Sequence, residues 1–400
     1  MPLTLAVTAS RWVVTRKMSL KVAKRGAVPP FIVMDVMRAA NELEAQGNNI
    51  IHMEVGQPGS GAPSGVVEAA AHAVRTERLG YTDAFGLPTL RSAIAKHYKD
   101  TYEIDVPVDR IAVTTGSSGA FVLSFLAAFD EGDKVALAAP GYPAYRNILT
   151  ALGIDVIEIP VGPETNFQPT SELLSQLDVS LDGLIIASPS NPTGTMIDAD
   201  GLSDICDHCH AHNVRLISDE IYHGITYDEA AESVLKFGDD AVVINSFSKY
   251  FSMTGWRLGW MILPSDLIRP VECLAQNLFI APPTISQHAG VAVFECHDEL
   301  QGNLEKYAEN RALLLQELPK AGFDKLASAD GGFYIYADVS ELTNDSAAFC
   351  KKMLTETGVA VTPGADFDPD RGHLFVRFSF ASDHADMVEA AKRLVAWRNK

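Results

Sequence analysis

The residues best placed to do chemistry lie in Asn245-Ser246-Phe247-Ser248-Lys249-Tyr250-Phe251-Ser252-Met253-Thr254-Gly255-Trp256-Arg257. One lysine stands among hydroxyls, aromatics and glycine, with an arginine eight residues on. A solvated lysine, with a pKa of about 10.4, is a poor nucleophile at neutral pH. Burial, or a neighbouring cation such as Arg257, lowers that value and frees the lone pair to attack a carbonyl carbon. The same stretch also reads as a lysine snorkelling from the end of a strand. Three other polar stretches bear on the choice. Asn191-Pro192-Thr193-Gly194 follows an apolar run, Asp219-Glu220-Ile221-Tyr222 ends another, and Gly116-Ser117-Ser118-Gly119 lies between a strand-like run and a helical pattern.

The elements that must position these residues follow from hydrophobic periodicity. Apolar runs at 111–115, 134–139, 154–159, 183–188, 214–218, 241–244 and 258–263 alternate with helical stretches. Strand alternating with helix predicts an α/β fold with a mostly parallel sheet and helices on both faces. Ligands of such sheets sit outside the carboxyl ends of the strands. Asn191, Asp219 and Lys249 all follow such ends, so one crevice could hold all three. Gly116–Gly119 opens a helix, where unpaired N–H groups and the helix dipole attract anions. Beyond Gly331 the pattern changes to short strands flanking helices. Residues 29–60 and 300–400 are read as a smaller α+β domain, and 61–299 as the larger one. Arg377 lies in the apolar strand-like run Leu374-Phe375-Val376-Arg377-Phe378, where a guanidinium either pairs with an acid or awaits a ligand.

Composition narrows the function classes. At 400 residues two domains are expected. Hydrophobic residues at 47% and charged residues at 21% are an ordinary globular balance. A formal net charge of -19 argues against nucleic-acid binding and against adhesion to anionic lipid. No apolar run approaches the roughly 18 residues of a membrane span. Five cysteines, few and odd in number, point away from a disulfide framework and toward a reducing, cytoplasmic compartment. Residues 1–28 carry six cations and no acid. That bias reads as an import presequence, as a disordered extension, or as a start upstream of the native Met18.

With the lysine stretch, the other three motifs occur in an order and spacing that resemble the class I/II aminotransferases of fold type I, from about Pro29 onward. The resemblance implies pyridoxal 5'-phosphate as cofactor, held by Lys249 as an imine. It implies that Asp219 keeps the pyridine nitrogen protonated, and that Asn191 and Tyr222 bond the phenolic oxygen. Tyr142 would stack on the ring. Ser117, Ser118, Gly119, Ser246, Ser248 and Arg257 would hold the phosphate, with Tyr81 reaching across a homodimer interface to the partner's phosphate. Arg377 would bind the substrate α-carboxylate as a fork, with Asn191 and the N–H of Gly56 beside it. Lys249 would then serve as general base at the α-carbon, with Asp219 and Tyr222 completing the catalytic set.

The implied reaction is ping-pong transfer of an amino group between an L-amino acid and a 2-oxo acid. A neutral or aromatic donor is expected, with 2-oxoglutarate as a plausible acceptor. Residues 277–290 hold no lysine or arginine, Ser118 stands where some relatives carry a lysine, and Phe31, Ile32 and Val33 read as apolar walls. Aspartate stays open as a donor, because a cation could come from elsewhere. A lyase on the same scaffold would keep every cofactor contact. A haem- or metal-binding module would rest on Cys206-Asp207-His208-Cys209-His210, which sits in a predicted helix without an axial-ligand context.

Overall fold

The computed structural model describes the chain from Leu20 to Arg398. Most of the basic N-terminal segment, Met18 included, lies outside the described residues. Seven strands form the larger sheet: β1 Ile111–Thr114, β2 Lys134–Ala139, β3 Asp155–Pro160, β4 Gly183–Ala187, β5 Arg215–Asp219, β6 Val242–Ser246 and β7 Gly259–Ile262. Their spatial order is β1-β7-β6-β5-β4-β2-β3. The neighbours from β3 across to β6 are parallel. β7 runs antiparallel to both β6 and β1. Adjacent antiparallel strands need no helical crossover. The chain from β6 to β7 therefore turns back as a wide loop at one end of the sheet, and that loop carries both Lys249 and Arg257.

Side-chain alternation assigns the two faces of the sheet. Leu184, Ile186, Val243, Trp260 and Ile262 join one core, while Ile185, Val242, Ile244 and Met261 join the other. Both faces are covered, so the strands read as unbroken apolar runs rather than as alternating ones. The helix Gly116–Ala128 packs over β6 and β7 and against the helices Pro143–Leu152 and Ile268–Leu278. Its Ala120, Phe121, Leu123 and Phe125 are all buried, so it has no broad polar face.

A second, antiparallel sheet has the order Thr362–Pro363, Phe375–Ser379, Tyr334–Asp338, Lys325–Leu326. Phe323, Phe333, Ile335, Phe378, Phe380 and Met353 fill its core. Ile51–His52 pairs in parallel with Val359–Ala360, which brings the early segment onto this later part of the chain. That strand is only two residues long. Beyond it, the Glu54 carbonyl accepts hydrogen bonds from the Thr362 hydroxyl and the Arg377 guanidinium instead of continuing a ladder.

Among the described residues no helix is long and apolar enough to cross a membrane. The Cys206–His210 string lies in the helix Ala199–His212, as its pattern predicts. Its donors are divided between environments: Cys209 is buried in the core, whereas His210 is exposed and bonds Asp240. No metal-capable cluster of three or more His, Cys, Asp or Glu side chains occurs among the described residues.

Candidate active site

The carboxyl ends of β4, β5 and β6 open on a cleft of about 200 Å³. Asp219, the last residue of β5, is 3% exposed in its floor. Burial raises its pKa from the ordinary carboxylate range to about 7, while donation by the Tyr145 hydroxyl and the Ile221 N–H and the charge of Lys249 pull the other way. Lys249 follows the end of β6, and its Nζ donates to the Gly56 carbonyl at 2.5 Å. The ammonium stands 5.6 Å from the Tyr222 ring centroid and 5.8 Å from that of Phe333. Burial, then the cations Arg377 and Arg257, bring its pKa down to about 8 against the opposing pull of Asp219. An amine so tuned is a nucleophile near neutral pH, whereas a solvated lysine is not.

A cationic cradle forms one end of the cleft. Ser117 and Ser118, from the first turn of the helix Gly116–Ala128, line it with Ser248, Thr254 and Arg257. The first N–H groups of any helix lack intrahelical partners, so this end offers backbone donors as well as hydroxyls and a guanidinium. Gly116 has φ +69°, and a side chain there would run into the Arg257 guanidinium. Arg257 itself holds a left-handed φ of +51° at the end of the Thr254–Trp256 turn. Such strain in a non-glycine residue is held by its surroundings and is common at functional sites.

The opposite wall comes from the second sheet. Arg377 lies on the interior strand Phe375–Ser379 and is 3% exposed. The guanidinium is sandwiched between Tyr334, 4.4 Å from its ring centroid, and Phe367, at 4.8 Å. It donates to Asn191 Oδ1 at 2.8 Å, to the Glu54 carbonyl, and to Thr362 Oγ1 at 3.2 Å. A guanidinium has five N–H donors, so these three bonds leave two uncommitted, among them the buried Nε–H, which has no partner. The Tyr222 and Tyr334 hydroxyls are 2.7 Å apart. Gly56 closes against Tyr334, where a Cβ would overlap the hydroxyl.

Phe31, Val33, Met34, Val55 and Ile221 supply the apolar wall. The start of the helix Ile32–Ala45 is fixed there because Asp366 accepts from the backbone N–H of Ile32 at 3.0 Å and of Val33 at 3.1 Å. Phe31 meets Tyr142 edge to face at 5.7 Å. The cleft thus gathers Gly56, Ser117, Ser118, Tyr142, Asn191, Asp219, Tyr222, Ser248, Lys249, Arg257 and Arg377.

Four residues singled out in the sequence do not line it, and Ile32, expected as an apolar wall between Phe31 and Val33, is one of them. Gly119 is buried inside its helix. Ser246 stands behind Ser248, donating to Ser248 Oγ at 2.9 Å and accepting from its N–H at 3.1 Å. Tyr81 is 84% exposed on the surface of the chain. Sequence reasoning in turn missed Tyr145, Tyr334, Asp366 and Phe367. The Gly-Tyr-Pro-Ala-Tyr string held a signal for the first of these, since Tyr145 lies in the first turn of the helix that Tyr142 caps. The strand pairing of Tyr336 with Arg377 puts Tyr334 on the same face, but no sequence signal fixes that register.

Residues 48–394 match the family model described as aminotransferase class I and II. The chain is 52% identical to a valine–pyruvate aminotransferase of Mycobacterium tuberculosis, over 95% of this chain and 99% of that protein. A crystal structure of an aminotransferase from Mycobacterium tuberculosis superposes with a TM-score of 0.94 at 51% identity, covering 95% of this chain and all of that one. The aspartate aminotransferase of Thermus thermophilus, solved with maleate, gives 0.89 at 28% identity, covering 94% of this chain and all of that one.

Proposed function

The chain belongs to the class I and II aminotransferases, which move an amino group between an amino acid and a 2-oxo acid, and from that premise we propose that it works with pyridoxal 5'-phosphate held between Lys249 and Asp219. The family generally depends on that cofactor. The observation that carries the reading is a low-pKa amine and a buried carboxylate at the ends of adjacent strands, facing one cleft. The residues present fit the group. Ser117, Ser118, Ser248 and Arg257 offer hydroxyls, a guanidinium and a helix N-terminus to a phosphate dianion, with Gly119 and Ser246 supporting them from behind.

When bound, the cofactor supplies a conjugated ring that takes up the electron pair released at the substrate's α-carbon. Asp219 would hold a proton on the ring nitrogen, and donation by Tyr145 and the Ile221 N–H favours its ionised form against the burial that raises its pKa to about 7. Asn191 gives its Oδ1 to Arg377, which leaves its amide N–H groups to donate, with Tyr222, to the ring's phenolic oxygen. Tyr142, which lines the cleft, would lie against the ring. Arg377 would turn two donors on one edge of its guanidinium to the substrate carboxylate, exchanging one of its present partners for it, beside the N–H of Gly56. Lys249 would act as general base, taking the proton from the substrate's α-carbon and delivering it to the cofactor-side carbon of the carbon–nitrogen bond. The second half-reaction uses the same residues in reverse.

The apolar wall supports a neutral aliphatic donor, and the valine–pyruvate relative supports valine with pyruvate as acceptor. Lys249, Arg257 and Arg377 are the cations lining the cleft, and each already has a role, which disfavours dicarboxylates. Tyr81, with the exposed Leu278 and Ile280, supports a homodimer in which this tyrosine serves the partner's phosphate. We propose two domains, 61–299 and 29–60 with 300–400, around the two sheets. The five free cysteines support a reducing, cytoplasmic setting.

The test is a visible spectrum of the cofactor-loaded protein during addition of single amino acids. Valine and alanine should bleach the band, and pyruvate should restore it. Bleaching by aspartate and glutamate alone would overturn the neutral-donor reading, and the absence of any band would overturn the cofactor reading.

A further inference from the structure

We propose that Tyr334 is a positioning residue that aims the phenolic proton of Tyr222 at the cofactor's ring oxygen and so lowers the proton affinity of the Lys249 linkage. The inference rests on the reading above that pyridoxal phosphate occupies the cleft. Tyr334 is 1% exposed, and among the described residues its hydroxyl has one hydrogen-bond partner, the Tyr222 hydroxyl. Gly56 closes one side of it, the Arg377 guanidinium lies over its ring, and the Tyr222 ring meets it edge-on with centroids 5.6 Å apart. The hydroxyl has little room to turn elsewhere.

Two facing hydroxyls carry two protons but need only one between them. One tyrosine donates, and the other keeps its proton free for a third group. Tyr222 is the one beside the reactive amine, since Lys249 Nζ stands over its ring. Tyr334 belongs to the strand Tyr334–Asp338, on the Arg377 side of the cleft. An anionic oxygen next to the Lys249 linkage therefore draws the Tyr222 proton, and Tyr334 donates to the Tyr222 oxygen behind it. Hydrogen bonds in a chain polarise one another, so the rear donor makes the front one stronger. A stronger donor stabilises the phenolate form of the ring oxygen. That phenolate then holds the proton of the neighbouring carbon–nitrogen double bond less tightly. Nothing is transferred in this arrangement; each proton stays on its own oxygen.

Tyr334→Phe removes the rear donor and keeps the ring under Arg377. Titrating the visible band of the loaded protein against pH should show the midpoint rising by roughly 0.2 to 0.6 unit, the roughly 10–30% by which one bond in a chain strengthens a hydrogen bond to a charged oxygen. The KM for the amino donor should stay within about threefold of the wild type, because the carboxylate grip is intact. In a Tyr222→Phe background, Tyr334→Phe should add no further shift. A midpoint that moves less than about 0.2 unit, or that falls, overturns the inference. If Tyr334→Phe does not fold, 3-fluorotyrosine at position 334, a more acidic phenol of nearly the same shape, must move the midpoint downward; an unchanged or higher midpoint overturns the proposal equally. A wild-type protein that shows no cofactor band at all would sink the cofactor reading itself. A band that titrates identically in wild type and Tyr334→Phe would sink only the role of Tyr334.

Discussion

Arg377→Lys separates recognition of the substrate carboxylate from everything else the cleft does. The guanidinium donates to Asn191, Glu54 and Thr362, and a paired grip on a carboxylate draws two donors from one edge of it. Each hydrogen bond to a charged group contributes about 1.5–3 kcal/mol. Lysine preserves the charge and can re-form one such bond, but not the planar fork or the sandwich between Tyr334 and Phe367. The net loss is one charged hydrogen bond, about 1.5–3 kcal/mol, or roughly 10- to 200-fold in kcat/KM. The assay is the half-reaction of the loaded enzyme with valine, followed by bleaching of the visible band. A primary amine of similar shape without a carboxylate serves as the control, and its already low rate should be the same in both proteins. Equal losses for the amine and the amino acid would mean that the substitution damaged the cleft as a whole, and the carboxylate assignment would be wrong. A loss for valine below about threefold would refute it as well.

Other perturbations probe the remaining parts. Tyr145→Phe takes a donor from buried Asp219, whose pKa is already up at about 7. A carboxylate raised above its unfolded value costs stability as pH climbs from about 3.8 to its folded pKa, so the cofactor-free variant should keep losing stability at pH values where the wild type has levelled off. The acid limb of its kcat/KM profile should move to higher pH, and an unmoved limb would remove Tyr145 from the account. Lys249→Met should raise the Tm of the cofactor-free protein at pH 7, because the native amine, brought down to about 8, is costly to hold protonated. That advantage should shrink as pH rises from about 8 to 10.5, where unfolded lysine also loses its proton; a constant gap would contradict the linkage. Gly56→Ala should cost about 1–3 kcal/mol through overlap with the Tyr334 hydroxyl, read as a lower midpoint in urea, and a neutral result would mean that the contact relaxes freely.

What the sequence disclosed and what it withheld have a physical division. Lys249, Asp219 and Asn191 were legible because each follows an apolar run, and the carboxyl ends of parallel strands converge on one side of a sheet. The runs themselves stood out because both faces are buried, leaving no polar alternation to dilute them. Arg377 was legible as a lone cation in an apolar strand. The reversed direction of β7 was not legible, since an apolar run looks the same in either direction. Tyr334 and Asp366 were hidden for a different reason. Their positions depend on strand register and on a turn docking against a helix more than three hundred residues away in the chain, and both are set by tertiary packing. Tyr81 reads as an ordinary exposed aromatic within one chain, which is how a residue that serves a partner copy would look.

The central claim is that one amine, Lys249, carries the aldehyde of a vitamin B6 cofactor opposite Asp219. Borohydride reduction of the loaded protein fixes such a linkage permanently, and peptide mass mapping then locates it. The account predicts the full mass of a reduced pyridoxyl phosphate adduct on the peptide containing Lys249 and on no other in stoichiometric amount. Quantitative adduct on a different lysine, or none at all with the cofactor still bound, would contradict it.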